Sequence, residues 1–297
     1  MSLPVARVVT FSGGRRNIGV AASICAHREV LTLSTPLTTI VLDPPSVPLW
    51  LSVVVPALNE AGAIVATLEP FQEWRNRGVE IVLVDGHSDD DTIALAQPLC
   101  DRILTATTPG RAIQMHTGAC NSTGRLLLFL HADTGLSSSD IDALHSLEAS
   151  GESLWGRFDV QLQGARGLLC LVERMINWRS RLSGIATGDQ GMFVTRDWYG
   201  QVGGFEMIPL MEDIALSRVL RRLGAPRFLP GPARTSARRW YRHGVIRTIV
   251  LMWCLRAAFA LGVNPIALKR FYANAADSGA QVKRLSRDEG PTRGPTA

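Results

Sequence analysis

Four short apolar runs in this chain each lead into acidic residues, and that repeat restricts the chain to few folds. The runs are Leu51-Ser52-Val53-Val54-Val55 before Asn59-Glu60, Ile81-Val82-Leu83-Val84 before Asp85, and Leu126-Leu127-Leu128-Phe129-Leu130 before His131-Ala132-Asp133. The fourth is Met192-Phe193-Val194, with Glu212-Asp213 after a connection. Apolar, β-branched runs of this length, bounded by turn residues, read as buried parallel strands. Open α/β sheets receive ligands at the carboxyl ends of such strands. Acids gathered at that edge repel one another, so a positive partner is expected among them. A divalent cation bridging to a diphosphate fits, which points to a metal-dependent enzyme acting on a phosphorylated nucleotide.

The segments between the runs carry helical signals. After the first strand, Ile64, Leu68, Phe71 and Trp74 recur at three- and four-residue spacing, predicting a helix over about 61–76 that Gly78 ends. Ser88-Asp89-Asp90-Asp91 reads as an N-cap that starts the next helix. A short strand is expected at 103–104, a helix from Gly110-Arg111, and a helix capped by Ser137 and Asp140 that runs to about 147. The order is βαβαβ, and right-handed crossovers make the sheet mostly parallel with helices on its faces. Further on, a strand is expected at 155–162 and helices at 168–182, 211–223 and 245–263. Leu171, Val172, Met175, Ile176 and Trp178 are the candidates for the buried side of the first of these helices. Arg247 and Arg256 interrupt the last, so it reads as an amphipathic or interfacial helix, or as domain packing, rather than a membrane span.

Residues 1–47 differ from the rest of the chain and read either as an accessory strand and loop or as a leader from an over-extended start site, the second being preferred. A catalytic domain is expected over 48–240, helices that lie at an interface over 241–276, and a disordered polar tail over 277–297. The cysteines are five and scattered, which argues against a disulfide framework or a structural zinc site. With no basic start followed by an unbroken apolar stretch, no signal peptide is expected. The expected location is cytoplasmic, with room for peripheral contact on the inner membrane face. Net charge is +5, but its distribution says more: no Asp or Glu occurs from Ile214 to Ala276, a stretch rich in arginine. Such a block needs anionic neighbours such as phosphates or a lipid surface. About a third of its cations are expected to pair with acids of the same domain.

Individual motifs allow two readings each. Asp85, followed by Gly86-His87-Ser88, sits where a carboxylate can accept from a base N–H or a ribose hydroxyl, or where it merely caps a turn. Asp133 can bind a hard Mg2+ or Mn2+ if the ligand supplies the remaining oxygens, with His131 as helper; a strand-end Asp is also a common turn former. Arg111 and Gln114, three apart, can face one pocket or lie on an exposed helix. Glu212 and Asp213 open a helix, where the dipole alone favours acids; the functional reading makes Asp213 a general base. Thr235-Ser236-Ala237-Arg238-Arg239-Trp240 can clamp a leaving diphosphate or an acceptor phosphate, or seat the domain on lipid headgroups.

Together these motifs resemble one family. Val55-Pro56-Ala57-Leu58-Asn59-Glu60, Val84-Asp85-Gly86-His87-Ser88-Asp89, Pro109-Gly110-Arg111-Ala112, Leu130-His131-Ala132-Asp133-Thr134, Gly188-Asp189-Gln190, Gly204-Phe205 and Met211-Glu212-Asp213 are similar in order and spacing to the family 2 glycosyltransferases with a GT-A fold. The branch they resemble is the rSAM/selenodomain-associated transferase 2 group, over residues 49–275. The resemblance implies that Asp85 contacts the nucleotide base and that Pro56, Asn59 and Glu60 line the nucleotide pocket. It implies that Arg111 approaches the base, with Gly86, Ser88, Gln114 and Ala132 on the same nucleotide-sugar site. Asp133, with His131, would bind the metal at the diphosphate. Asp213, beside Glu212, would be the base of an inverting reaction. Gly188, Asp189 and Gln190, with Arg238, Arg239 and Trp240, would face the acceptor or diphosphate. His131 stands where the common motif has an acid, which weakens the expected hold on metal.

The implied donor is a uridine or guanosine diphosphate sugar. The acceptor is open between a lipid-linked and a small soluble alcohol, and no nucleic acid is expected. A sugar-phosphate nucleotidyltransferase would carry a cation in the loop after the first strand, and Pro56-Ala57-Leu58-Asn59-Glu60-Ala61-Gly62 has none. A non-catalytic module that binds lipid or nucleic acid through the arginine block is the remaining alternative.

Overall fold

The computed structural model describes residues 48–237, 240–241 and 244–273. The four apolar runs form β1 (Leu51–Ala57), β2 (Val79–Asp85), β4 (Leu126–Phe129) and β7 (Met192–Thr195), and β3 (Arg102–Thr105), β5 (Thr134–Gly135), β6 (Trp155–Gln163) and β8 (Arg227–Ser236) complete one sheet. Its order is β3-β2-β1-β4-β7-β6-β8-β5. Strands β3, β2, β1 and β4 are parallel, as expected. Strand β7 is antiparallel to both β4 and β6, which corrects the reading of the fourth run as another parallel strand. Its carboxyl end therefore points to the edge opposite those of β1, β2 and β4. An apolar run reveals that a strand is buried but not its direction.

Period-two alternation sends neighbouring side chains to opposite faces, and both faces are covered. Val53, Val55, Ile81, Leu83 and Leu128 pack with Ile64, Leu68, Phe71 and Trp74 on one side. Val54, Val82, Val84, Leu127 and Phe129 pack on the other with Met115, Ala119, Leu216 and Leu220. Gly118 permits the close approach of its helix: a Cβ there would lie 2.4 Å from Val54 Cγ1.

The first expected helix is segmented. It runs as α1 (Ile64–Leu68), a 3-10 turn (Glu69–Phe71) and α2 (Gln72–Arg75), because Pro70 supplies no N–H to an α-helical ladder. Its four apolar residues are nonetheless buried. Helix α3 (Thr92–Ala96) starts later than expected, with Asp91 rather than Ser88 at its N-cap. Helices α4 (Arg111–Cys120) and α5 (Ser138–Glu148) match expectation, the latter with a Ser137–Asp140 capping box. On α6 (Leu168–Ser183) the buried positions are Leu169, Val172 and Ser180; Leu171, Met175 and Trp178 are exposed, against expectation. Helices α7 (Arg196–Gln201) and α8 (Glu212–Leu220) follow β7. Helix α9 (Val245–Ala260) and a helix over 265–273 return to α8, where Leu255 and Leu268 bury against Met211 and Ile214. No helix among the described residues is long and apolar enough to cross a membrane. In the arginine block, Arg227 reaches Glu152 and Arg234 reaches Asp140. The expected leader over 1–47, the tail over 277–297, and Arg238 and Arg239 lie outside the described residues.

Candidate active site

The carboxyl ends of β1 and β2 are stitched into one ledge. Gln114 on α4 is buried and donates from its amide to the carbonyls of Ala57 and Val84, both at 2.9 Å. Gly86 makes room for it, since a Cβ there would stand 2.9 Å from Gln114 Nε2. Asp85 is only 2% exposed. Its carboxylate accepts from the backbone N–H of His87 and Ser88 and from Ser88 Oγ at 2.6 Å. Ser88 Oγ also accepts from Asn59 N, and Asn59 Oδ1 accepts from Asp89 N at 2.8 Å. Asn59 and His87 both take left-handed backbone conformations to make these turns. Asn59, Asp85, Gly86 and Ser88 thus build the ledge, and none of them lines the large cavity that opens beside it.

That cavity has a volume of about 880 Å³. Pro56, Glu60, Arg111, Gln114, His131, Ala132 and Asp133 line its first wall. Ala132 is anchored by Thr67 Oγ1, which donates to its carbonyl at 2.8 Å. Gly188, Asp189, Glu212 and Asp213 also line the cavity, and Trp240 contributes from beyond β8. The fold therefore joins acids from four separate stretches of sequence, at Glu60, Asp133, Asp189 and Glu212-Asp213. Gln190 does not join them: it is fully buried, and its Oε1 accepts from Thr187 N and Thr187 Oγ1 to hold the turn in shape. Gly188 is pressed against His131, so that a Cβ would lie 2.4 Å from His131 Nε2.

Met211 adopts a left-handed conformation, φ +70°, at the start of α8 and turns Glu212 and Asp213 inward. A non-glycine residue there stores local strain. Asp213 accepts from Gly188 N at 2.8 Å and Ile214 N at 2.7 Å. Burial still pushes its carboxyl above the usual range; those two N–H groups and Arg256 pull the other way, and Asp189 adds to the rise. Glu212 is pushed from 4.5 to about 7, first by burial and then by Asp213, with Arg111 opposing. The two adjacent acids are thus both held above the usual carboxylate range, chiefly by burial.

The donor set at His131 and Asp133 is small. Among the described residues no three His, Cys, Asp or Glu side chains converge as a metal centre. One carboxylate and one imidazole suit a hard cation only when ligand oxygens complete its shell.

The second wall, which sequence reasoning missed, comes from α6 and α9. Val172, Met175, Trp178, Met252 and Trp253 present apolar surface, and Arg179 and Arg256 sit among them. Burial, then the Arg256 charge, lowers the Arg179 guanidinium to about 10, against the pull of Asp189 and Asp213. The available signal was a cation placed within a largely apolar helix, visible for Arg256; Arg179 gave none, since α6 also carries Glu173, Arg174 and Arg181.

Residues 52–145 match the family described as Glycosyl transferase family 2. Among curated proteins, the chain is similar to a PGL/p-HBAD biosynthesis glycosyltransferase of Mycobacterium bovis, 35% identical over 95 residues, or 30% of this chain and 37% of that protein. It is also similar to an uncharacterized glycosyltransferase of Mycobacterium tuberculosis, 29% identical over 113 residues, 35% of this chain and 43% of that protein. The matched region spans less than half the length of these relatives. Among solved structures, S. aureus TarS (residues 1–349) aligns with a TM-score of 0.51 at 18% identity, over 68% of this chain and 64% of that one. The mannosyltransferase PcManGT from Pyrobaculum calidifontis, in complex with GDP-Man and Mn2+, aligns with a TM-score of 0.50 at 16% identity, over 84% and 78%. The α/β architecture, a curled sheet flanked by helices, is that of GT-A glycosyltransferase structures.

Proposed function

We propose that this chain is an inverting glycosyltransferase that moves a sugar from a UDP- or GDP-linked donor to an acceptor hydroxyl, aided by Mg2+ or Mn2+. The reading is supported most by the convergence of Glu60, His131, Asp133, Asp189, Glu212 and Asp213 on one cavity at the carboxyl edge of the parallel strands. TarS has been crystallised with UDP-GlcNAc and PcManGT with GDP-Man and Mn2+, which makes both nucleotides reasonable donors to test. Within the family, the motif order favours the rSAM/selenodomain-associated transferase 2 branch.

The donor nucleotide would rest on the ledge between Pro56, Glu60 and Arg111, with Asp85, Asn59 and Ser88 shaping the loop beneath. The acceptor hydroxyl oxygen would attack the anomeric carbon from the face opposite the nucleotide. A carbon–oxygen bond forms there as the bond to the diphosphate oxygen breaks, and its electron pair leaves with the nucleoside diphosphate. Asp213 takes the hydroxyl proton. Its hydrogen bonds from Gly188 N and Ile214 N fix the carboxylate plane while burial raises its basicity. Asp133, assisted by His131, would hold the cation, which supplies charge neutralisation at the departing diphosphate. The loop after β1 carries no cation to bind an attacked phosphorus, which disfavours nucleotidyl transfer.

The test is a panel of sugar nucleotides with Mn2+, read by thermal shift and by release of nucleoside diphosphate. A UDP- or GDP-sugar is expected to raise the melting temperature by several degrees, with EDTA abolishing turnover. Turnover that persists in EDTA removes the metal role from Asp133, and a flat panel removes the donor class.

A further inference from the structure

We propose that the second wall of the cavity is an acceptor subsite for an amphiphilic phosphate, its anionic head held by Arg179 and Arg256 and its apolar body by α6 and α9. This rests on the proposed sugar transfer, which puts the donor on the opposite wall and so leaves this one to the acceptor.

Two guanidinium groups line the wall from different helices. Nε and Nη2 of Arg179 and Nε of Arg256 are buried and lack a hydrogen-bond partner among the described residues. Buried N–H donors without acceptors are unfavourable, more so on charged groups, and are found where a ligand completes them. The neighbouring acids do not supply the missing acceptors. Asp213 accepts from Gly188 N and Ile214 N and from none of these three guanidinium nitrogens. Asp189 Oδ1 is itself buried without a partner. Two like charges lining one cavity also repel each other, which adds to the larger effect of burial in lowering the Arg179 guanidinium. An anion between them relieves that repulsion, and the forked donors of two arginines match the several oxygens of a phosphate.

The surroundings fix the rest of the ligand. Met175, Trp178, Met252 and Trp253 face the same cavity. Trp178 is 65% and Trp253 60% exposed, so the apolar surface continues outward from the arginines toward solvent. Exposed aromatic surface next to a half-buried cationic pair suits a ligand with a charged head and a hydrocarbon body. A neutral sugar acceptor would satisfy neither feature.

Dodecyl phosphate below its micelle concentration is the probe, compared with dodecanol and inorganic phosphate by calorimetry on the full chain. Dodecyl phosphate is expected to bind at least tenfold more tightly than either fragment. Arg179→Gln and Arg256→Gln should each weaken it fivefold or more, and Arg179→Lys should retain part of the affinity. Trp178→Ala should weaken dodecyl phosphate and leave inorganic phosphate unchanged. Arg222→Gln, an exposed position outside the cavity, should behave as the parent does. Equal binding of dodecyl phosphate and dodecanol would make the wall merely apolar and overturn the proposal. So would undiminished binding in both glutamine variants, which would assign Arg179 to Asp189 instead. Binding only to anionic vesicles, insensitive to Arg179→Gln, would assign the face to a membrane surface and overturn it too. UDP and GDP with Mn2+, titrated into the same samples, report on the donor side: loss of that binding alone sinks the transfer reading, and loss of amphiphile binding alone sinks the subsite.

Discussion

Glu212 and Asp213 stand next to each other in sequence but carry different burdens. Asp213 is hydrogen-bonded by two backbone N–H groups and is the proposed proton acceptor, whereas Glu212 is mainly a buried acid. Asp213→Asn is expected to lower turnover by roughly 10²–10⁴-fold while nucleotide binding is kept. Steady-state rates alongside a nucleotide titration decide it, and near-normal transfer would remove the base assignment. Because burial raises the Asp213 carboxyl, the acid limb of the pH–rate profile should lie above the ordinary carboxylate range. Glu212 makes a separate prediction about stability. Its carboxyl rises from 4.5 to about 7 on folding, so the folded state holds a proton that the unfolded chain releases. Its stability contribution is complete below about pH 4.5 and is lost as pH climbs through 7. Glu212→Gln should therefore leave stability at pH 4 almost unchanged and raise it at pH 8, by roughly 3 kcal/mol at most. Urea melts at the two pH values measure this.

At the scale of elements, the turn before β7 sets the site as much as any helix. Gly188 lets the His131 ring lie against the backbone, and Gly188→Ala would force the ring aside. The expected result is a Mn2+ requirement raised about tenfold, with stability lowered by about 1–3 kcal/mol from overpacking. A metal titration of activity separates that from simple misfolding. Much of this scaffold is legible in the sequence. The runs at Leu51–Ala57, Val79–Asp85 and Leu126–Phe129 are readable because both faces of a central strand are apolar. The acids after β1 and β4 are readable because strand ends meet at one edge. The direction of β7 is hidden, since direction depends on partners that an apolar run does not specify. The faces of α6 are misassigned from sequence because its exposed stripe of Leu171, Met175 and Trp178 is as apolar as its buried one. Gln190 looks like a ligand-facing polar residue, yet it is consumed by Thr187. Arg256 is legible only as a charge that interrupts its helix, and Arg179 is one of several charges on α6 beside Glu173, Arg174 and Arg181, so their meeting at one cavity is visible only in the fold.

For the whole molecule, the reversal of β7 divides the sheet into two unlike rims. One carries the carboxyl ends of β1, β2 and β4 with the amino end of β7. The other gathers the start of β4, the end of β7 and the start of β6, where Leu126 pairs with Thr195 and Trp155 with Val194. The connection entering β6 at this second rim, residues 149–153, is exposed, and Gly151 there is already in a left-handed conformation. Ten Gly/Ser residues placed between Gly151 and Glu152 are expected to change stability by less than about 1 kcal/mol. Nucleoside diphosphate release should stay within about twofold of the parent, and a larger loss would mean that the rims communicate. A tolerated insertion would mark this rim as an idle side of the proposed transferase, where a fluorophore, an affinity handle or a tether to a surface can be attached away from the cavity.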